Sequence, residues 1–385
     1  MFNVPKVLIT GGAGFIGCLT ANELAARGFK VRVFDNLSAQ VHQSPRTSLN
    51  RLHPDVEVVV GDVRNRLQVD SALEGVGVIY HFAAETGVGQ SMYSIAHYSD
   101  VIIQGTAVLC DCMARRKGDI TKVILSSSRA VYGEGQYRCN DCGIIYPLPR
   151  TVAQLRLGAW DLRCPKCGAT VAPMPCNEMT PSMPISVYGL AKHVQEELFQ
   201  MLSFTHDIPT IILRYFNVVG AGQSPSTPYT GVLSIFCSRM LSNEDIEIYE
   251  NGEMQRDFVP VKDVVRANIK ALDLDATIPL ILNVGSGIPR TILQVAQYLK
   301  AKICAESEIL VSGRYRMGDI RHCVADTSMA QKLLGESPND SFETSIIDLI
   351  QWIVAEKEEG GGGLTLEKSV AELDDHGLTG IADTK

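Results

Sequence analysis

The chain has 385 residues, 45% of them apolar and 20% charged, with a formal net charge of −8 and a pI near 5.6. This length allows one large core or two unequal lobes, and the acidic balance disfavours a nucleic-acid binder, whose affinity rests on basic patches. No apolar run approaches the roughly 20 residues of a membrane span, and the first residues lack a secretory pattern, so a cytoplasmic, reducing compartment is expected.

Residues 6–10 form a short apolar run ended by glycines, the mark of a buried parallel strand. Helical apolar spacing follows over 16–27 and stops at Gly28. Further strands are predicted at 30–35, 56–61, 76–82 and 122–127, with a long helix over 94–116. Such alternation predicts an α/β fold, a Rossmann-type doubly wound parallel sheet. The period is lost across 132–184, a stretch rich in Pro, Gly and Cys, which reads as an insertion. It resumes with a helix over 188–204 and strands at 209–214 and 278–284.

The domain reading is therefore a Rossmann domain over 1–133, an insertion over 134–180 and the Rossmann domain continued over 181–215. A smaller substrate lobe follows over 216–355, with about 258–284 returning to the sheet. Residues 356–385, with Gly360 to Gly363, read as a flexible tail, with a short docking helix as the alternative because Leu366, Val370 and Leu373 keep helical spacing.

Thr10-Gly11-Gly12-Ala13-Gly14-Phe15-Ile16-Gly17 lies between the first strand and helix, the context that gives such a glycine run meaning. Missing Cβ atoms allow a tight turn and let a pyrophosphate reach the helix N-terminus. Asp35 ends strand two, where an acid accepts from adenosine ribose hydroxyls and repels a 2′-phosphate, favouring NAD over NADP. Gly61-Asp62-Val63 is placed to meet the adenine.

Tyr188 and Lys192 lie one helical turn apart on one face. A free phenol ionises near pH ~10, and a nearby ammonium would stabilise the phenolate and make a usable base.

Cys139-x-x-Cys142 and Cys164-x-x-Cys167, each followed by glycine, are two knuckles able to hold a structural zinc as a four-thiolate ribbon. Two redox pairs or disulfides are the alternatives. Because the ribbon lies between the Ser128 and Tyr188 segments, it is expected either to form part of a lid or wall of the site they share or to be a remote stabilising decoration.

Together these motifs resemble the extended short-chain dehydrogenase/reductases, specifically the NAD-dependent nucleotide-sugar epimerases and dehydratases. The likeness also rests on His81-Phe82-Ala83-Ala84, Ser126-Ser127-Ser128-Arg129-Ala130-Val131-Tyr132-Gly133, Arg214-Tyr215-Phe216-Asn217, Arg256-Asp257-Phe258-Val259 and Arg316-Met317-Gly318-Asp319-Ile320-Arg321-His322. The resemblance implies Tyr188 as base, Lys192 on the nicotinamide ribose and Ser128 as the third catalytic hydroxyl. It implies cofactor contacts from Gly11, Gly14, Phe15, Ile16, Gly17, Asp35, Asn36, Asp62, Val63, Phe82, Ala83 and Ala84. Asn217, Arg256 and Arg316 would hold the nucleotide-sugar diphosphate, and Glu85 and Thr86 would lie beside the sugar.

Family 4,6-dehydratases carry an Asp-Glu pair where this chain has Arg129 and Ala130, so dehydration is disfavoured and 4-epimerisation with a retained NAD is expected. The stretch 35–42 and the insertion look most like a branch acting on dTDP-L-rhamnose. Enzymes of UDP-glucose or UDP-glucuronate, a decarboxylase, a net 4-ketoreductase and a non-catalytic NAD-binding regulator are the alternatives. Family analogy also implies a homodimer through the helices near 94–116 and 188–204.

Overall fold

The computed structural model describes residues 6–42, 44–116, 118–224, 231–335, 341–358 and 366–383. Its centre is a seven-stranded parallel sheet. In chain order its first five strands are β1 (Lys6–Thr10), β2 (Val31–Asp35), β3 (Glu57–Val60), β4 (Val76–His81) and β5 (Lys122–Ser128). Across the sheet the order is Leu280–Val284, Thr210–Tyr215, β5, β4, β1, β2, β3. The chain reverses its direction of travel between β1 and β4, so a crevice opens at their carboxyl ends, where such sheets bind ligands.

Successive residues of β1 serve opposite faces. Val7 and Ile9 join the core that includes Val33, Tyr80, Ile124 and Leu213, whereas Leu8 joins the one that includes Phe34, Ile79 and Leu125. Burial on both faces is why these strands read as unbroken apolar runs. The expected helix over 94–116 is interrupted in its pitch. Ile95–Tyr98 and Gly105–Ala114 are α-helical, and Ser99–Gln104 between them is a π-helical stretch.

Past Tyr215 the second lobe has its own apolar cluster, built on Leu233, Phe236, Ile248, Phe258, Leu299 and Ile346. In the insertion, Tyr137–Cys139 pairs antiparallel with both Gly143–Ile145 and Ala172–Pro173 around a small core containing Tyr137, Ile145 and Leu162.

The reading of 356–385 as a flexible tail is corrected, while its glycines 360–363 lie outside the described residues. A helix extends over Leu366–Asp375, and Thr379–Ile381 pairs antiparallel with Arg314–Arg316. Leu373 is buried, the Tyr93 hydroxyl donates to Glu372 at 2.7 Å, and the Tyr93 ring stacks on His376. Spacing alone could not show these partners, which lie about 280 residues earlier in the chain for Tyr93. Among the described residues no helix is long and apolar enough to cross a membrane.

Candidate active site

The crevice is a cavity of about 350 Å³. Gly11, with φ +67°, has no room for a Cβ, which would sit 2.6 Å from the Ala83 amide nitrogen, and a Cβ on Gly17 would meet the Gly11 carbonyl oxygen at 2.3 Å. The glycine turn can therefore lie flat between β1 and β4 and open the helix Phe15–Ala26 towards the cavity. The Asp35 carboxylate accepts from the amides of Ala13 (3.0 Å) and Leu37 (2.9 Å), and His42 Nε2 lies 3.4 Å away.

Of the expected cofactor residues, Gly11, Gly14, Phe15, Ile16, Gly17, Asp35, Asn36, Val63, Phe82, Ala83, Ala84, Tyr188 and Lys192 line the cavity. Asp62 does not. It pairs with Arg64 at 2.6 Å, which holds its carboxyl down at about 2. Ser38, His42, Ser48, Arg51 and Gln223 line it without having been anticipated. A glycine cradle at a helix start, an acid at the end of β2 and a tyrosine–lysine pair at the far end suit NAD in charge and shape.

Tyr188 and Lys192 lie on the helix Val187–His206, which Ser186 caps by accepting from the Gly189 amide at 3.1 Å. A Cβ on Gly189 would fall 2.5 Å from the Ala130 carbonyl oxygen. Glycine there lets the helix close onto the 3₁₀ turn Arg129–Tyr132, which begins just after Ser128. Ser128, Tyr188 and Lys192 all line the cavity. The Tyr188 amide donates to Ser91 Oγ at 3.0 Å, and Lys192 Nζ donates to the Ser126 carbonyl at 2.9 Å.

The electrostatics depart from expectation. Burial pushes the Tyr188 phenol up, against a hydrogen bond with Ser128 and the charge of Arg129, which lower it. Burial also drives Lys192 down to about 7, opposed by Glu196. The ammonium expected to acidify the phenol is thus itself disfavoured by burial. Beneath it, Glu196 is held by Arg214 at 2.6 and 2.8 Å.

Asn217, Arg256 and Arg316 do not line the cavity but gather beside it. Asn217 Oδ1 accepts from Arg129 Nε at 3.1 Å, linking it to the residue after Ser128. Arg256 is buried and, among the described residues, donates to the main-chain carbonyls of Gln255, Ile320 and Arg321 at 2.8–3.1 Å. Burial and the neighbouring Arg129 push it down to about 10. Arg316 is paired with Asp319 at 2.9 Å; burial raises that carboxyl, but Arg316, Arg256 and Arg129 outweigh it. Arg316 alone bonds Asp319, while Arg256 and Arg129 lie near enough for their charges to act on the same carboxyl, so three guanidinium groups are gathered where an anion could meet them.

Arg129 was read only as evidence against dehydration; its place in this cluster depends on the turn that follows β5. Glu85 and Thr86 line the cavity. Glu85 is buried, with Oε1 3.3 Å from His97 Nε2 and Oε2 unpaired, an acceptor suited to a sugar or ribose hydroxyl.

The Sγ atoms of Cys139, Cys142, Cys164 and Cys167 all lie within 4.8 Å of one another. A zinc tetrahedron with arms of about 2.3 Å has edges of roughly 3.8 Å, so the quartet fits that ion. No residue of 134–180 lines the cavity.

The sequence profile described as the NAD dependent epimerase/dehydratase family matches residues 7–148 and 167–285. The chain is 37% identical over 353 residues to the dTDP-L-rhamnose 4-epimerase of Burkholderia thailandensis, covering 91% of this chain and 95% of that one. It is 30% identical to a putative UDP-glucose 4-epimerase of Methanocaldococcus jannaschii, over 90% of this chain and 98% of that one. The crystal structure of a UDP-glucose 4-epimerase with UDP-glucose from Thermotoga maritima matches with a TM-score of 0.76 at 27% identity, over 91% of this chain and 99% of that one.

Proposed function

Since the chain belongs to the NAD dependent epimerase/dehydratase family and is an NAD-dependent nucleotide-sugar epimerase, we propose that it inverts C4 of dTDP-L-rhamnose, interconverting it with dTDP-6-deoxy-L-talose. Likeness to the Burkholderia enzyme supports the substrate. The observation that carries the reaction type is Ser128, Tyr188 and Lys192 on one cavity wall, followed by Arg129 and Ala130 rather than an acid–base pair.

Gly11, Gly14, Gly17 and Asp35 would hold the adenosine diphosphate half of NAD, with Lys192 at the nicotinamide ribose. When bound, NAD supplies a reversible hydride acceptor for C4. Tyr188 removes the C4 hydroxyl proton as C4 loses hydride, and Ser128 holds that oxygen. After the 4-keto sugar turns, C4 regains hydride on its other face and Tyr188 returns the proton. Arg129, Arg256 and Arg316 would keep the diphosphate anchored during the turn, so that the nucleotide-linked 4-keto sugar is not lost.

The zinc assigned to the four thiols has a structural role, because four sulfur ligands leave no site for water. One zinc per chain by elemental analysis, released by mutation of Cys139 and Cys142, is the expected result. Exposed Leu190, Met201 and Phe204 share one side of the helix Val187–His206, which supports a homodimer through that helix.

The test is to incubate the purified chain, with no added cofactor, with dTDP-L-rhamnose, UDP-glucose and UDP-glucuronate in turn and to read products by NMR. Conversion of dTDP-L-rhamnose to its C4 epimer is expected. Turnover of only a UDP-sugar would reassign the substrate, and a 4-keto-6-deoxy or decarboxylated product would overturn the reaction type.

A further inference from the structure

The stretch carrying Asp319, Ile320 and Arg321 serves two of the three clustered arginines, Arg316 and Arg256. Asp319 pairs with Arg316, and the carbonyls of Ile320 and Arg321 take Arg256. On its other side this stretch is held by the insertion. Arg150, buried within the insertion, donates from Nη2 to the Asp319 carbonyl at 2.9 Å and from Nη1 to Glu250 Oε1 at 2.7 Å. The other Glu250 oxygen takes Arg321 Nη1 at 2.8 Å. Glu134 accepts from the Arg321 amide at 2.8 Å, and Asp161 accepts from Arg321 Nε at 3.1 Å.

From this we infer that the insertion acts as a brace for the substrate's diphosphate site, with Arg150 as its positioning residue. One planar guanidinium spans a carboxylate and a main-chain carbonyl, fixing the distance between Glu250 and Asp319. Because the network is buried, removing Arg150 leaves Glu134 and Glu250 short of a cation, and the chain must shift to rehydrate them. That shift moves the groups that aim Arg256 and Arg316. The insertion therefore acts on substrate binding without touching the cavity.

The inference rests on the reading of Arg256 and Arg316 as diphosphate ligands. Its test compares wild-type full-length protein, as purified, with Arg150→Met and Arg150→Lys, by calorimetric binding of dTDP and UDP and by steady-state kinetics. Arg150→Met should weaken nucleoside diphosphate binding and raise KM by about tenfold, the loss expected when one charge-assisted contact is misaligned. The effect on kcat should be far smaller, and bound NAD should be unaltered. Arg150→Lys keeps the buried charge but cannot span both acceptors, so it should recover part of the affinity. It also decides the matter if the methionine variant does not fold.

Variants that bind dTDP and UDP as wild type does, or that lose kcat with KM unchanged, overturn the inference. Wild-type protein that binds neither nucleotide overturns the diphosphate reading and this inference with it.

Discussion

Burial acts on Tyr188 and Lys192 in opposite senses, disfavouring the charged form of each. Tyr188 is the proton carrier of the proposed reaction. Tyr188→Phe should therefore lower kcat by about 10²–10⁴-fold, with bound NAD measured unchanged after denaturation. Lys192 titrates at about 7 in the folded chain, against roughly 10.4 when exposed. The unfolded chain then binds more protons between these values, so the lysine's penalty is full below about pH 7 and fades as pH rises towards 10. In protein stripped of NAD, Lys192→Met should raise the melting temperature at pH 6.5, and the gain should vanish near pH 10. A gain that grows with pH would show that the lysine is charged and paired in the fold.

At the scale of elements, the parallel strands and the glycine turn were legible because burial on both faces leaves an apolar run and a tight turn leaves glycines. The turn yields its own prediction. A Cβ on Gly17 would meet the Gly11 carbonyl at 2.3 Å and Gly12 Cα at 2.8 Å, both main-chain atoms that cannot rotate away. Gly17→Ala should accordingly cut the NAD retained on purification by about tenfold or more, a loss equivalent to 1.4 kcal/mol. The π-helical stretch Ser99–Gln104 was not legible in the apolar spacing, since its 6 residues are too few to establish a period of their own. Motif singles out Asn217, Arg256 and Arg316 as candidates, whereas Arg129 and Arg150 owe their positions to tertiary contacts that local pattern does not encode.

Over the whole molecule, an acidic chain of net charge −8 still brings Arg129, Arg256 and Arg316 close enough to act on one carboxyl, that of Asp319, so the charge of the proposed site cannot be read from the overall charge. The C-terminal segment reaches the same region. The segment 366–383 pairs with Arg314–Arg316 through Thr379–Ile381, and the Met317 amide donates to the Leu378 carbonyl at 2.7 Å. Truncation after Glu358 should raise KM several-fold and lower the melting temperature, while NAD stays bound. Composition hid this docking because its partners, Tyr93 and Arg314, lie in other lobes of the sequence. In the proposed reaction C4 gives up a hydride and regains the same one through a retained NAD. The measurement is turnover of dTDP-L-rhamnose deuterated at C4, in ordinary water with no added cofactor, followed by NMR and mass spectrometry. The C4 epimer should keep its deuterium at C4; deuterium lost to solvent or moved to another carbon would contradict the account.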